Sequence, residues 1–287
     1  MQIEQNMMSF STSTNSETGY IDLARCLTAV NGKYITQTKR RDGKYIPLNY
    51  LVRVRALTGL ATIETLSTGY PTRNSVVLAG AARDAMLKSA GIPRSNLETY
   101  QKELRIMFEG GAGGSNQYMP SCTGKGHPET NGGWGVETHE YTNLMIADPD
   151  GTPDGIAKEL AMLGTQSSDS EDWDGDGKFF VVDNWQKFRK SLTPQAAADD
   201  TENNVFSWAM QQSDTAGDII DVIDDNMDDK PYSLANFASK TIATLVGTNV
   251  GNPSSGVISV PLGLLKVTTG TSGPHSWEIE VVGVSEL

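Results

Sequence analysis

The sequence has few of the residues on which disulfide scaffolds and histidine catalysts depend. Its 287 residues include two cysteines, Cys26 and Cys122, and three histidines. Two cysteines cannot build a disulfide scaffold. They are expected to be free buried thiols, the alternative being one long-range disulfide. Because histidine is the side chain that titrates near neutral pH, its scarcity counts against catalysis that depends on it.

The chain also lacks the segments that direct a protein into or across a membrane. No apolar run approaches the ~20 residues that a spanning helix needs. The N-terminal stretch MQIEQNMMSFSTSTNSE is polar, with neither a basic nor an apolar region, and therefore predicts no secretory signal. We expect the protein to act inside a cell, or to leave it by lysis or by assembly into a particle.

Catalytic motifs are missing as well. The sequence has no G-x-S-x-G, no Walker-type loop and no G-x-G-x-x-G that opens a helix after a strand. Carboxylates are abundant, but no short motif places two of them at one site. Cys122, His127 and His139 lack the short, regular spacing of three or four zinc ligands. The sequence therefore predicts a protein that is not an enzyme.

Acidic charge is present in excess, and it is unevenly distributed. The formal net charge is −12. Residues 1–110 carry 14 Lys and Arg against 9 Asp and Glu, whereas residues 111–287 carry 9 against 26, so the two parts have net charges of +5 and −17. Opposite charge favours head-to-tail association between copies, and the acidity of the second part argues against tight nucleic-acid binding there. The alternative is a marine or halotolerant protein that its acidic surface keeps soluble.

One stretch of twelve residues, DWDGDGKFFVVD, specifies a chemistry. It has the ligand spacing of an EF-hand calcium loop, with oxygen donors at positions one, three, five, seven and twelve and a glycine at position six for the sharp turn. An apolar residue, Phe179, stands at position eight and can anchor the loop to a core. The predicted Ca²⁺ ligands are the carboxylates of Asp172, Asp174, Asp176 and Asp183 and the backbone carbonyl of Lys178.

Two features of this loop differ from an EF-hand. Asp183 closes it where glutamate is usual, and the shorter side chain makes bidentate coordination harder. The flanking sequences predict strand more than helix, especially FFVV at 179–182. A single calcium loop without a paired second loop indicates a structural site and not a calcium sensor. Such a site would stabilise one inserted segment of the fold or a contact between neighbouring copies. The alternative is a solvated acidic turn, because Asp-Gly pairs are common in turns.

The one basic patch of the sequence lies early in the chain. Arg53 and Arg55 alternate with apolar residues and therefore point to the same face of a predicted strand. Without interleaved aromatic residues, such a patch predicts only weak, non-specific and salt-sensitive contact with phosphates. Ion pairs with acidic neighbours, or a solvated strand face, are the alternatives. The patch consists of Lys39, Arg40, Arg41, Lys44, Arg53 and Arg55.

Strand and turn signals dominate both ends of the chain. Residues 1–18 are predicted to be a flexible arm, because Ser, Thr and Asn are too polar to bury. Runs rich in β-branched residues follow, with hairpin turns predicted at Asn31-Gly32 and Asp42-Gly43. The C-terminal runs GVISVPLGLLKVTTG and SWEIEVVGVSEL also predict strands, the second with one buried and one solvated face.

Helices are predicted between these two groups of strands. One is expected from a cap at Thr72 to a stop at Gly91. A helical and acidic insertion is expected at about 148–247. Within it, cap and stop residues predict a helix at 154–164 and another, with apolar residues at helical spacing, at 233–247.

Three quoted segments carry a likeness to a known family. They are the strand LNYLVRVRALTGLATIETL, the helix TRNSVVLAGAARDAMLKSAG after it, and the closing strand pair VPLGLLKVTT and SWEIEVVGVSEL. Their arrangement resembles that of jelly-roll major capsid proteins of small tailless icosahedral viruses. The resemblance implies a mainly β fold over residues 19–287, an antiparallel β-sandwich (jelly roll) with helical insertions and long loops.

The same resemblance implies a function and partners. Many identical copies would close an icosahedral shell, with calcium bridging or rigidifying the subunits. Many such capsid proteins carry an arginine-rich N-terminal arm, whereas residues 1–18 here contain no Lys or Arg. Contact with the genome would then fall to the basic patch, to another protein or to an inner membrane.

The sequence therefore favours a self-assembling capsid subunit of the virion, with one calcium-stabilised loop. A calcium-dependent carbohydrate-binding or adhesive β-sandwich module is the main alternative. Its stacking platform would use exposed aromatic residues such as Trp134, Tyr118 and Tyr141. A hydrolase with scattered carboxylates is a third class.

Overall fold

The structure, a computed structural model, describes residues 5–12, 17–97, 102–112, 117–120, 141–146, 156–165, 177–191, 239–247, 254–271 and 273–287. Within these ranges the chain is mainly β, with a larger sheet that is antiparallel and curled and a smaller sheet that is mixed. The strands are β1 Met7–Thr12, β2 Thr18–Asp22, β3 Thr38–Arg41, β4 Lys44–Leu66, β5 Met107–Glu109, β6 Asn143–Ile146, β7 Ile156–Leu163, β8 Lys178–Phe180, β9 Ser239–Gly247, β10 Ile258–Pro261, β11 Leu264–Thr269 and β12 His275–Glu286. The α-helices are α1 Leu23–Asn31, α2 Tyr70–Ser89 and α3 Val181–Ser191.

The long strand β4 organises the larger sheet. Its first half pairs with β3, β10 and β12, and its second half pairs with β9 and β11, all antiparallel. β1 adds to β12 and β2 adds to β11. Because one continuous strand serves two sets of partners, the sheet curls around the first hydrophobic core, which joins side chains of α1, β1, β2, β4, β10, β11 and β12.

Alternation along β4 and β12 explains why one face of this sheet is buried. Val52 and Val54 are fully buried, while the alternating Arg53 and Arg55 lie on the outer face. On β12, Trp277, Ile279 and Val281 face the same core, and the glutamates between them face outward. The two-residue period of a strand produces this separation, so the buried and solvated faces predicted for β12 are confirmed.

A smaller four-stranded sheet is built around β7. β5 and β8 run parallel to β7, whereas β6 is antiparallel to it. Helices α2 and α3 contact each other, and the second hydrophobic core contains residues of both helices and of this sheet. Tyr45 of β4 and Leu264 of β11 belong to the same core, so the two sheets share buried surface.

Polar side chains attach the segment before β5 to the larger sheet. The Gln37 amide donates a hydrogen bond to the carbonyl of Ile106 over 3.1 Å and accepts one from its N–H over 2.7 Å. The Thr38 hydroxyl accepts a bond from the N–H of Leu104 over 3.0 Å. These side chains satisfy buried backbone groups in the way that a neighbouring strand would.

Asp22 lies at the centre of a buried polar cluster, where β2 ends and α1 begins. One carboxylate oxygen accepts a bond from the N–H of Arg25 over 3.1 Å and thereby caps α1. The other accepts a bond from the Gln37 amide over 3.0 Å and lies 3.8 Å from Nε of Arg105. The cluster therefore ties the start of α1 to the segment that leads into β5.

The prediction of a hairpin turn at Asn31-Gly32 is wrong. The preceding residues form α1, which Asp22 caps and which Gly32 ends with a left-handed φ of +62° and an N–H bonded to the carbonyl of Thr28. The Asn-Gly signal is correct for the positive φ of Gly32 but not for Asn31, which is the last residue of α1. A left-handed glycine ends helices as well as forming hairpins, and the signal alone does not distinguish the two.

The helices predicted at 154–164 and 233–247 are wrong where the structure describes them. Ile156–Leu163 is β7, which has strands on both sides and buries Leu160, Ala161 and Met162 in succession. Strands covered on both faces are apolar without alternation and resemble helices in sequence. The second segment contains β9, whose pairing with β4 overrides its helical spacing.

Other predictions hold. Asp42 and Gly43 both have positive φ, +50° and +77°, in the turn between β3 and β4. The helix predicted from a cap at Thr72 to a stop at Gly91 is confirmed, but its N-cap is Gly69, three residues before the predicted cap. The flexible arm predicted for residues 1–18 does not hold for Met7–Thr12. These residues form β1 and place buried Phe10 in a stacked contact with Trp277.

Candidate functional site

The predicted calcium loop lies partly within the described residues. Its first three predicted ligands, Asp172, Asp174 and Asp176, lie outside them. Among the described residues, no three His, Cys, Asp or Glu side chains come together as a metal site. Calcium binding at this loop therefore stays a prediction, and the structure describes only the second half of the loop.

Gly177, at position six of the loop, has the backbone conformation that the loop requires. Its φ is +53°, and a Cβ atom there would meet nothing within 4 Å. Backbone conformation, and not crowding, is therefore the reason for a glycine. Its carbonyl accepts a hydrogen bond from the N–H of Glu159 over 3.0 Å, which fixes this turn to β7.

β8 and α3 position the end of the loop. The strand predicted at 179–182 is confirmed only for its first two residues, since α3 begins at Val181. Asp183 lies in the first turn of α3 and is 6% exposed. The positive end of the helix dipole favours a carboxylate at this position. The strand-like exit predicted for the loop is therefore wrong beyond Phe180. The last described element before the loop is the strand β7, whereas an EF-hand has a helix there.

Lys178 begins β8, where it pairs with Glu159 of β7 and forms an ion pair with it. The side chain of Lys178 therefore contacts Glu159, whereas the predicted Ca²⁺ ligand is the backbone carbonyl oxygen of Lys178. Phe179 and Phe180 continue the pairing along β7, and Phe180 is buried. The second half of the loop is therefore anchored in the second core. Phe179, at position eight, packs against this core partly buried, and Phe180, at position nine, is buried in it.

The basic patch is divided between two faces. Arg53 pairs with Glu280 over 2.8 Å and Arg55 with Glu278 over 3.8 Å, across the β4–β12 ladder. Lys39 and Arg41 both lie within ion-pair distance of the carboxylate that ends β12. That carboxylate belongs to Glu286, at 3.3 and 2.6 Å.

Ion pairing on this face lowers its contribution to non-specific phosphate binding, because that binding scales with the positive charge that can replace counterions. On the outer face of β4, the basic patch therefore has the geometry of the alternative interpretation, in which its cations form ion pairs with acidic neighbours. Only Lys44 has no ion-pair partner among the described residues. The phosphate-contact prediction for this patch stays a prediction.

Arg40 points to the opposite side of β3, toward α2. It forms an ion pair with Asp84 over 2.9 Å and donates a hydrogen bond to the hydroxyl of buried Tyr45. Arg94 donates to the same hydroxyl and pairs with Glu103 over 3.2 Å. Sequence reasoning missed this cluster, because its members come from four separate segments.

Burial affects the protonation equilibria of this cluster. It lowers the pKa of the Arg83 guanidinium, and the neighbouring charge of Arg94 lowers it further. Burial also raises the pKa of the Glu103 carboxyl, against the opposing effect of Arg94. Positive charge is therefore crowded around the Tyr45 hydroxyl.

Two aromatic residues of the alternative carbohydrate platform are not exposed. Tyr141 is 4% exposed, and Tyr118 packs its ring edge against Trp277, with 5.2 Å between ring centroids. Trp134 lies outside the described residues, as do Cys122, His127 and His139. His275 is buried at the start of β12, and Cys26 is buried in α1.

An apolar groove between α2 and α3 is a further surface feature. Tyr70 and Phe188 are 55% and 45% exposed at its rim, and Tyr70 makes an edge contact with Trp185. Val77 and Leu78 are half-buried in its floor. We call these five residues the α2–α3 groove. The sequence analysis did not identify this groove. The signal that could have indicated it is the spacing of Trp185 and Phe188, three residues apart on one face of a helix.

Within the described part of the chain, no helix is long and apolar enough to span a membrane. Comparison with protein-family models, curated proteins and solved structures finds no match to this chain.

Proposed function

We propose that the protein is a structural, self-assembling capsid subunit of a small tailless icosahedral virus. The observation that carries the proposal is the pairing of β4 with both closing strands, β11 and β12. With α2, these are the elements behind the resemblance to jelly-roll capsid proteins. They meet in curled antiparallel sheet, from which a jelly-roll sandwich would be built. As a capsid subunit the protein would assemble in the host cytoplasm and remain in the virion.

Two surface properties support self-association. The α2–α3 groove exposes aromatic and aliphatic side chains side by side, which is typical of protein–protein contact sites. The net charges of +5 for residues 1–110 and −17 for residues 111–287 attract one copy to another. A second copy of this chain is therefore the occupant of the groove that fits the proposal.

Purified protein should form closed particles or capsomers, visible by negative-stain microscopy and light scattering. Phe188→Ser should shift the population to smaller species, because it puts a polar group into an apolar contact. Val282→Ser is the matched control, since Val282 is 50% exposed on β12, away from the groove. If only monomers are observed at high protein concentration, the capsid proposal is contradicted. Equal effects of the two variants would exclude the groove as the contact.

Calcium stabilises this subunit through the loop 172–183. Support comes from the left-handed Gly177 at position six and from Asp183 in the first turn of α3. The remaining oxygen donors are Asp172, Asp174, Asp176 and the Lys178 carbonyl. The site would hold part of the segment that crosses over between the parallel strands β7 and β8.

Removal of calcium should lower the melting temperature of the wild-type protein. A ligand at about 100 times its Kd stabilises by about 2.7 kcal/mol, or about 5–10 °C for a protein of this size. Asp174→Ala should abolish the difference between melting curves in calcium and in EDTA, because it removes the central carboxylate. Asp42→Asn, in the exposed β3–β4 turn, should keep that difference. Identical EDTA effects in wild type and Asp174→Ala would rule the site out.

A further inference from the structure

A groove lies at the C-terminal end of α2, beside β3. It encloses about 520 Å³. Three cationic side chains line it, together with one carboxylate and an apolar edge. We call it the Tyr45 groove, after the buried tyrosine behind it, and its main lining residues are Arg40, Asp84, Lys88, Ile92, Pro93 and Arg94.

The Tyr45 hydroxyl holds two guanidinium groups in place. It donates a hydrogen bond to Asp84 over 3.0 Å and accepts bonds from Arg40 and Arg94. The guanidinium carbons lie 5.2 and 5.4 Å from the centre of its ring, within range of a cation–π contact. Because Tyr45 is fully buried, both arginines are attached to a rigid support and lose little freedom on binding a ligand.

Positive charge exceeds negative charge around this hydroxyl. The cations Arg40, Lys88 and Arg94 line the groove, and buried Arg83 lies close enough behind it to interact with Tyr45. Among the described residues, two carboxylates, Asp84 and Glu103, oppose the three cations that line the groove. Lys88 is exposed and has no acidic partner among the described residues. The remaining positive charge favours an anion, and the guanidinium forks of Arg40 and Arg94 fit the oxygens of a phosphate group.

The arginines retain donors for a further ligand. A guanidinium group has five N–H donors in a planar fork that matches the spacing of phosphate oxygens. Arg40 uses its described bonds on Tyr45 and Asp84, and Arg94 uses its bonds on Tyr45 and Glu103. The side chains are about 30% exposed, so an anion can reach the remaining donors from solvent.

The end of α2 does not oppose an anion as strongly as a bare helix end would. Its last carbonyl groups carry partial negative charge. Three of them accept hydrogen bonds from the N–H groups that follow, of Ala90, Gly91 and Ile92, over 3.0, 3.1 and 2.9 Å. These bonds reduce the negative potential that the helix end presents to the groove.

We propose that the Tyr45 groove binds a phosphate group between Arg40, Lys88 and Arg94. The phosphate can be free in solution or part of a nucleic-acid backbone. The second source rests on the proposed function, because a capsid interior brings the chain close to a genome. The site differs from the basic patch of the sequence. It uses one patch member, Arg40, with cations that lie more than forty positions further along the chain.

Two probes test the proposal on the full-length protein in its unassembled form. One is inorganic phosphate, titrated by calorimetry at constant ionic strength. The other is a fluorescent oligothymidylate of about 20 nucleotides, followed by anisotropy at increasing salt. Lys88→Gln and Arg94→Gln should each weaken phosphate binding by about tenfold, since each removes one charge-assisted contact. Arg53→Gln, which removes a cation on the outer face of β4, should change it less than about twofold.

The outcomes separate the two phosphate sources and the two proposals. Loss of phosphate affinity in both groove variants, with equal loss of oligonucleotide affinity, supports the site with a backbone phosphate as ligand. Loss of phosphate affinity alone supports it with free phosphate. No phosphate binding by wild type, or equal effects of Lys88→Gln and Arg53→Gln, overturns the proposal. Lys88→Gln removes no described ion pair, so it keeps the test valid if Arg94→Gln fails to fold. Particle formation is scored separately, so failure to assemble leaves this result intact.

Discussion

Asp22→Asn should lower the free energy of unfolding by about 3 kcal/mol, the cost of breaking a buried ion pair by removing one partner. The Asp22 and Arg105 side chains are 2% and 5% exposed, so water cannot replace the lost charge. Asparagine can still accept the capping bond of Arg25. The expected loss therefore reports the electrostatic part of the cluster, and denaturant unfolding at neutral pH measures it.

Asp42→Asn is the matched control for this substitution. Asp42 lies in the β3–β4 turn with its side chain 92% exposed and a positive φ of +50° that asparagine accepts equally well. Its stability should change by less than about 0.5 kcal/mol. If Asp22→Asn also changes stability this little, the Asp22 cluster does not hold α1 to the segment before β5.

Gly80→Ala should destabilise the protein, although alanine favours a helix more than glycine does. In α2 the substitution should gain about 1 kcal/mol from helix propensity. An added Cβ atom, however, would lie 2.3 Å from Cδ2 of Tyr45. That ring is buried and its hydroxyl is bonded on three sides, so it cannot move away. Overpacking of this kind costs about 1–3 kcal/mol and outweighs the gain.

Asn74→Ala provides the comparison within the same helix. Asn74 is exposed on α2, so alanine there should leave stability unchanged or raise it by about 0.5 kcal/mol. Denaturant unfolding of the two variants measures whether the unfolding free energy falls in Gly80→Ala and stays equal or rises in Asn74→Ala. A stabilising Gly80→Ala would show that α2 does not pack against Tyr45 at this distance. It would also remove the rigid support assumed for the Tyr45 groove.

In the calcium loop, the turn at the glycine could be predicted from the sequence, whereas the start of α3 could not. Spacing alone identified the glycine that must turn at position six, and the structure gives Gly177 a left-handed φ. Spacing could not show that α3 begins at Val181, because FFVV is rich in residues that favour strands. Packing of Val181 and Val182 in the second core decides in favour of helix.

The Tyr45 groove could not have been predicted from the sequence. Arg40 was grouped with Lys39 and Arg41 because they are adjacent, but neighbouring residues of a strand point to opposite faces. Pairing of β3 with β4 turns Arg40 toward α2, where Asp84 and Arg94 meet it. Contacts between distant segments depend on tertiary packing, which adjacency in sequence does not report.

The sequence by itself determined those elements whose residues alternate or turn for local reasons. The closing strands, helix α2 and the Asp42-Gly43 turn follow from side-chain period, capping and positive φ. Tertiary structure alone decided that Ile156–Leu163 and Ser239–Gly247 are strands, because each obtains its hydrogen bonds from neighbours far along the chain. Local propensity is worth tenths of a kcal/mol per residue, and pairing within a buried sheet exceeds it.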